Sequence, residues 1–183
     1  MKCMVYTLTL LLLMGCASKD NMVTVRQIEN DNPVVLRINE ERERIFSLKY
    51  PLSFEFKKNN RGEIYYFESS YFPSNEELCS GTGESHLKAS DNDDYLAYRF
   101  KRFDGGVLYT IEGNDTIQKE LSDYLKRMNA EKKDTVHIPV KSFREKHGKL
   151  IEDWFEGDTI ILHFHDHKQW NDIPQEVDFF IYR

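Results

Sequence analysis

Apolar and polar residues alternate from Phe46 to Lys57. Phe46, Leu48, Tyr50, Leu52, Phe54 and Phe56 lie on one side of the pattern, with Ser47, Lys49, Ser53, Glu55 and Lys57 between them. Apolar residues at period two predict a half-buried strand. Pro51 falls on the other face and has no N–H to donate, which predicts an edge strand or a bulge. Lys58-Asn59-Asn60-Arg61-Gly62 reads as a turn, and Ile64 to Phe72, dense in Tyr and Phe, as the returning strand. Tyr95 to Phe103, the turn Asp104-Gly105-Gly106, and Val107 to Glu112 predict a second hairpin. The period then changes: Ile117, Leu121, Tyr124, Leu125 and Met128 share one face at helical spacing. This predicts one amphipathic helix over about 116–131, with Asp115 and Gln118 as its capping box. Val136 to Val140 reads as an edge strand, and Thr159 to His165 and Val177 to Tyr182 as further strands. Ser142 to Phe155 is left open.

Short strands with frequent turns and one helix make the fold class mainly β (α+β). The expectation is an antiparallel β-sandwich, or an antiparallel sheet with one packed amphipathic helix. Strands and helices do not alternate, which excludes a parallel Rossmann-type fold, and there is no internal repeat.

The first residues follow neither period. Lys2 precedes an apolar run from Val5 to Met14 that is too short for a bilayer core of about 30 Å, so the run reads as an export signal. Its end, Leu13-Met14-Gly15-Cys16, resembles the lipobox of bacterial lipoproteins, with Met14 a departure from the usual small or branched residue. The resemblance covers the first 16 residues and implies acylation of Cys16. More than one acyl chain anchors stably, at about 0.8 kcal/mol per buried methylene. Ala17 after the Cys is similar to outer-membrane sorting signals, and Ser18-Lys19-Asp20-Asn21 to short surface-export tags. The expected organisation is therefore a signal peptide over 1–15, a lipidated Cys and flexible tether over 16–32, and one strand-rich domain over 33–183. It sits on the outer membrane, facing the periplasm or the cell exterior.

Charge and cysteines narrow the partners. The chain has 25 Lys and Arg against 31 Asp and Glu, a formal charge of −6. Nucleic acid needs a concentrated basic surface and is excluded as a partner; Arg99 to Phe103 alternates like a strand. With Cys3 removed and Cys16 acylated, Cys79 is left alone, so no internal disulfide forms.

The sharpest candidate chemistry is Ile160-Ile161-Leu162-His163-Phe164-His165-Asp166-His167. Alternation sets His163, His165 and His167 on one face of a strand, where imidazoles converge on a zinc-like ion, with Asp172 or Asp178 as added oxygen donors. Residues i and i+4 along a strand lie about 13 Å apart, which favours a site of two of the three. The run lacks one spacing residue of the HxHxDH motif of metallo-β-lactamase-like hydrolases, so no catalytic role is carried over. Cys79 with His86, and the glycines Gly81 and Gly83, suggest a thiol nucleophile or a phosphate cradle. The phosphate-loop spacing is absent, and no orienting group is visible for the thiol. The acid pairs Glu152/Asp153 and Glu156/Asp158 fit chance in so acidic a chain. Trp154, Trp170 and Tyr71 form either a sugar-stacking platform or core. Three Asp-Thr-apolar triplets, carrying Thr116, Thr135 and Thr159, resemble an O-glycosylation signal of envelope proteins, and equally suit caps and turns.

The reading that follows is an anchored lipoprotein with a non-enzymatic domain that binds a protein or glycan, without a resident cofactor, and with Pro73 to Asp94 as a contact loop. The alternatives are a metal-binding protein or metal-dependent hydrolase using the histidines, and an envelope inhibitor or immunity protein.

Overall fold

The computed structural model describes residues 23–59, 63–73, 84–91, 95–96, 100–166 and 171–178. In chain order they form β1 (Val23–Ile28), β2 (Val34–Ile38), β3 (Ile45–Lys58), β4 (Ile64–Phe72), β5 (Glu84–Ala89), β6 (Tyr95–Leu96) and β7 (Phe100–Thr110). Helices α1 (Asp115–Glu120) and α2 (Ser122–Glu131) follow, then β8 (Thr135–Ile138), α3 (Val140–Phe155), β9 (Thr159–Asp166) and β10 (Asn171–Asp178). Two antiparallel sheets result. The larger runs β5-β7-β3-β2-β8, with β1 also paired to β3; the smaller runs β10-β9-β4-β6. The fold is mainly β with added helices, as the pattern predicts.

The spine is β3. One edge pairs with β7 from Ser47 to Lys57. The other is shared: β2 covers Ile45 to Lys49, and β1 covers Ser53 to Lys58. Pro51 stands in the interval between those two partners, where a missing N–H costs no ladder bond. A central strand thus accommodates a residue that normally marks an edge. Opposite Pro51 lies Gly106, where a Cβ would come within 2.5 Å of the Tyr50 carbonyl oxygen. Gly106 therefore permits close strand approach in the middle of β7, and the expected turn at Asp104-Gly105-Gly106, with its hairpin, is replaced by one long strand. A bulge shifts the pairing at the start of β3, where Arg37 faces Ser47 and Ile38 faces Ile45. The extra residue, Phe46, is turned out while Ile45 is buried.

Two other boundaries move. The segment expected as tether up to residue 32 already contains β1, whose Val23 is buried, so the domain starts before Pro33. The expected loop from Pro73 to Asp94 contains β5, paired with β7.

The single expected helix is two. Asn114, not Asp115, caps α1, its side chain accepting from the Ile117 N–H at 3.1 Å. Gln118 reaches back to the start of β3 instead, donating to the Ile45 carbonyl and accepting from the Ile45 N–H, and donates also to the Ile111 carbonyl just after β7. The open segment is α3, which buries Val140, Phe143, His147, Ile151, Trp154 and Phe155 and has non-helical dihedrals at His147, just before Gly148.

The sheets meet through aromatic rings. Phe56 stacks on Phe103 at 4.4 Å within the larger sheet and touches Tyr66 and Phe164 of the smaller sheet at 5.6 and 5.2 Å. Further along the same inner face, Tyr109 and Tyr50 meet the end of α3, with Tyr109 to Trp154 at 4.7 Å and Tyr50 to Phe155 at 5.1 Å. Sheet packs on sheet in one half of the molecule and on helix in the other.

Candidate functional site

Side chains that can meet a ligand lie on the two outer faces. On β9, Leu162 and Phe164 are fully buried, while His163 and His165 stand half-buried on the outer side. Alternation correctly places these two histidines together; His167 lies outside the described residues. His165 is opposite Tyr65 of β4 and Asp172 of β10, and His163 opposite Glu68 and Pro174. The His163 Nε2 is 3.5 Å from Ser70 Oγ. Asp178 pairs with Thr159, at the far end of the strand from His165. Among the described residues no three ligand-type side chains cluster around one point. Phe72, at the end of β4, is 51% exposed on this side.

The larger sheet has its own outer site. A shallow groove of about 320 Å³ is lined by Thr24 and Arg26 of β1, Glu55 and Lys57 of β3, and Phe100 of β7. The ladder register creates it, aligning Thr24, Lys57 and Phe100 in one row and Arg26, Glu55 and Arg102 in the next. Arg26 pairs with Glu55 at 3.0 Å, and Arg102 donates to both oxygens of Asp104, which also accepts from Ser53. The Lys57 ammonium lies 5.4 Å from the centre of the Phe100 ring, and Phe100 is 59% exposed. Reading residues 16–32 as tether hides half of this groove. Of the run Arg99 to Phe103, Arg99 lies outside the described residues and Phe100 to Phe103 begin β7, with Phe100 and Arg102 outward and Phe103 inward.

The other candidates resolve into structure. Trp154 and Tyr71 are buried and form no exposed platform; Trp170 and Cys79 lie outside the described residues. Asp158 is buried and accepts from the Tyr71 hydroxyl, which also bonds to that of Tyr109. In the other two Asp-Thr triplets Asp115 pairs with Arg44 and Asp134 with Arg42. Thr116 is exposed on the first turn of α1, and Thr135 and Thr159 are half-buried at the starts of β8 and β9. His147 was not singled out by the sequence pattern. It is buried, with Nδ1 2.7 Å from Glu120 and Nε2 3.3 Å from the Tyr124 hydroxyl, fastening α3 to the α1–α2 pair.

No protein-family model matches the chain, and comparison with curated proteins and with solved structures also gives no match.

Proposed function

We propose that this chain is an envelope lipoprotein, acylated at Cys16, whose sandwich is a binding module for a protein or glycan partner rather than an enzyme. The observation that carries the binding reading is the outer face of the smaller sheet. It leaves Phe72, Tyr65, His163 and His165 accessible on a regular, paired scaffold, a mixture of aromatic and adaptable polar groups typical of recognition surfaces. The lipobox-like Leu13 to Cys16 supports the anchor.

The test has two parts. Replacing Cys16→Ala should abolish incorporation of labelled fatty acid and shift the protein out of the membrane fraction. Replacing Phe72→Ala together with Tyr65→Ala should abolish capture of the envelope partner while leaving the fold intact. Turnover of an envelope polymer by the purified chain would contradict the binding-module reading.

A second reading rests on the same face. His163 and His165 with the neighbouring acidic positions Glu68 and Asp172 have the donor types for zinc. Stoichiometric zinc bound by the wild-type chain and lost on His163→Ala plus His165→Ala would favour a metal-dependent role.

A further inference from the structure

The two outer faces of the sandwich differ in charge: the described cations lie on the larger sheet. Strand register and burial put Arg26, Arg37, Lys49, Lys57, Lys88 and Arg102 on the outer side of the larger sheet. Acidic residues sharing that register are fewer among the described side chains: Glu55 and Asp104. On the smaller sheet the described side chains that share the outward register of His163 and His165 are Tyr65, Glu68, Ser70 and Phe72 on β4 and Thr159 and Ile161 on β9, with no Lys or Arg among them. A chain of net charge −6 has therefore gathered cations on one broad surface. That surface also exposes two large apolar side chains, Phe100 at 59% and Leu108 at 37%.

The position of the anchor gives this asymmetry a direction. Six residues separate Cys16 from Val23, a span of at most about 25 Å even when fully extended. The chain enters the sandwich at β1, and Thr24 and Arg26 of that strand line the groove on the cationic face. A domain held this closely meets the leaflet at high local concentration, so weak attraction suffices to orient it. Cations drawn to lipid phosphates, with an aromatic ring among them, are the chemistry of a peripheral membrane surface.

We infer that the outer face of the larger sheet lies on the anchoring membrane, with Arg26, Lys57, Lys88 and Arg102 against anionic phospholipid headgroups and Phe100 at the interface. The inference rests on the lipoprotein reading above. The histidine-bearing face of the smaller sheet is thereby turned toward solvent and its partner.

The experiment uses the full, processed chain in a Cys79→Ser background, with a nitroxide on Thr24→Cys or, as reference, on Glu68→Cys of the opposite face. The protein is floated with vesicles of phosphatidylcholine alone or mixed with phosphatidylglycerol. On the anionic vesicles the Thr24 label should lose water accessibility severalfold relative to the Glu68 label. That protection should disappear at high salt, which needs no further mutation, and in the Arg26→Glu, Lys57→Glu variant. Protein that floats with both labels equally accessible on every vesicle overturns the docking while sparing the anchor. Protein that does not float removes the anchor and the docking together. Protection of Thr24 by soluble polygalacturonate without lipid would overturn the docking by making the face an acidic-glycan site.

Discussion

Arg42 holds φ 60°, a left-handed conformation costing a non-glycine residue about 1–3 kcal/mol. Its guanidinium offsets that cost by donating to the carbonyls of Met128 and Lys133 at 3.2 and 3.1 Å, to Asn129 at 3.1 Å, and to Asp134. The end of α2 is thus tied to a side chain from the β2–β3 loop, which adds a second donor to the Met128 carbonyl already bonded by the Lys133 N–H. Arg42→Ala should lower stability by about 2–3 kcal/mol, and Arg42→Gly by less because the backbone strain is relieved, both read from urea midpoints at unchanged slope. Equal losses would show that the dihedral contributes nothing. Glycines make an opposed pair. At Gly106 a Cβ collides with the Tyr50 carbonyl oxygen, so Gly106→Ala should cost about 2–4 kcal/mol. At Gly148 nothing lies within 4 Å, and Gly148→Ala should be neutral or stabilising by up to about 1 kcal/mol. Melting temperatures that move the same way in both variants would contradict this account. In the sequence Gly105-Gly106 resembles a hairpin turn, because the requirement comes from a strand about fifty residues upstream.

At the scale of elements, local periods were legible and their interruptions were not. Alternation from Leu48 to Phe56 gave the inner face of β3 correctly, and Leu162 and Phe164 gave that of β9. Phe46 escaped because a bulge, invisible to a period of two, reverses the strand's phase at its start. The stripe of α3 does follow helical spacing from Val140 through Phe143, His147, Ile151 and Trp154, but a polar residue fills its centre and Gly148 follows. Only the facing Glu120 and Tyr124 explain a buried histidine there. Gln118 was legible as a side chain seeking backbone partners, though not which ones. It closes three hydrogen bonds, two that join α1 to Ile45 at the start of β3 and one to the Ile111 carbonyl just after β7. Gln118→Ala leaves a buried strand end short of its partners and should cost about 2–3 kcal/mol. The Ile45 amide should lose protection from hydrogen exchange more than amides at the centre of β3. Uniform loss along the strand would mean that Gln118 acts only through global stability.

For the whole molecule, the sequence supports a sandwich class but not the pairing that builds its surfaces. The cationic face draws residues from β1, β2, β3, β5 and β7, so no window of the chain contains it. The histidine pair was visible because both members belong to one strand. What makes the two faces parts of one body is the aromatic seam between them. Phe56 is fully buried and touches Phe103 on its own sheet as well as Tyr66 and Phe164 across the gap. Truncating it opens a cavity where both sheets lose contacts, so Phe56→Ala should cost about 3–5 kcal/mol. Because the seam is shared, the loss should appear in both sheets at once: amides of β7 and of β9 should lose protection at the same urea concentration, in the variant as in the wild type. If β9 and its neighbours opened at lower urea while β7 stayed protected, the smaller sheet would be a separately folding unit. The cationic face would then survive the loss of the surface opposite it.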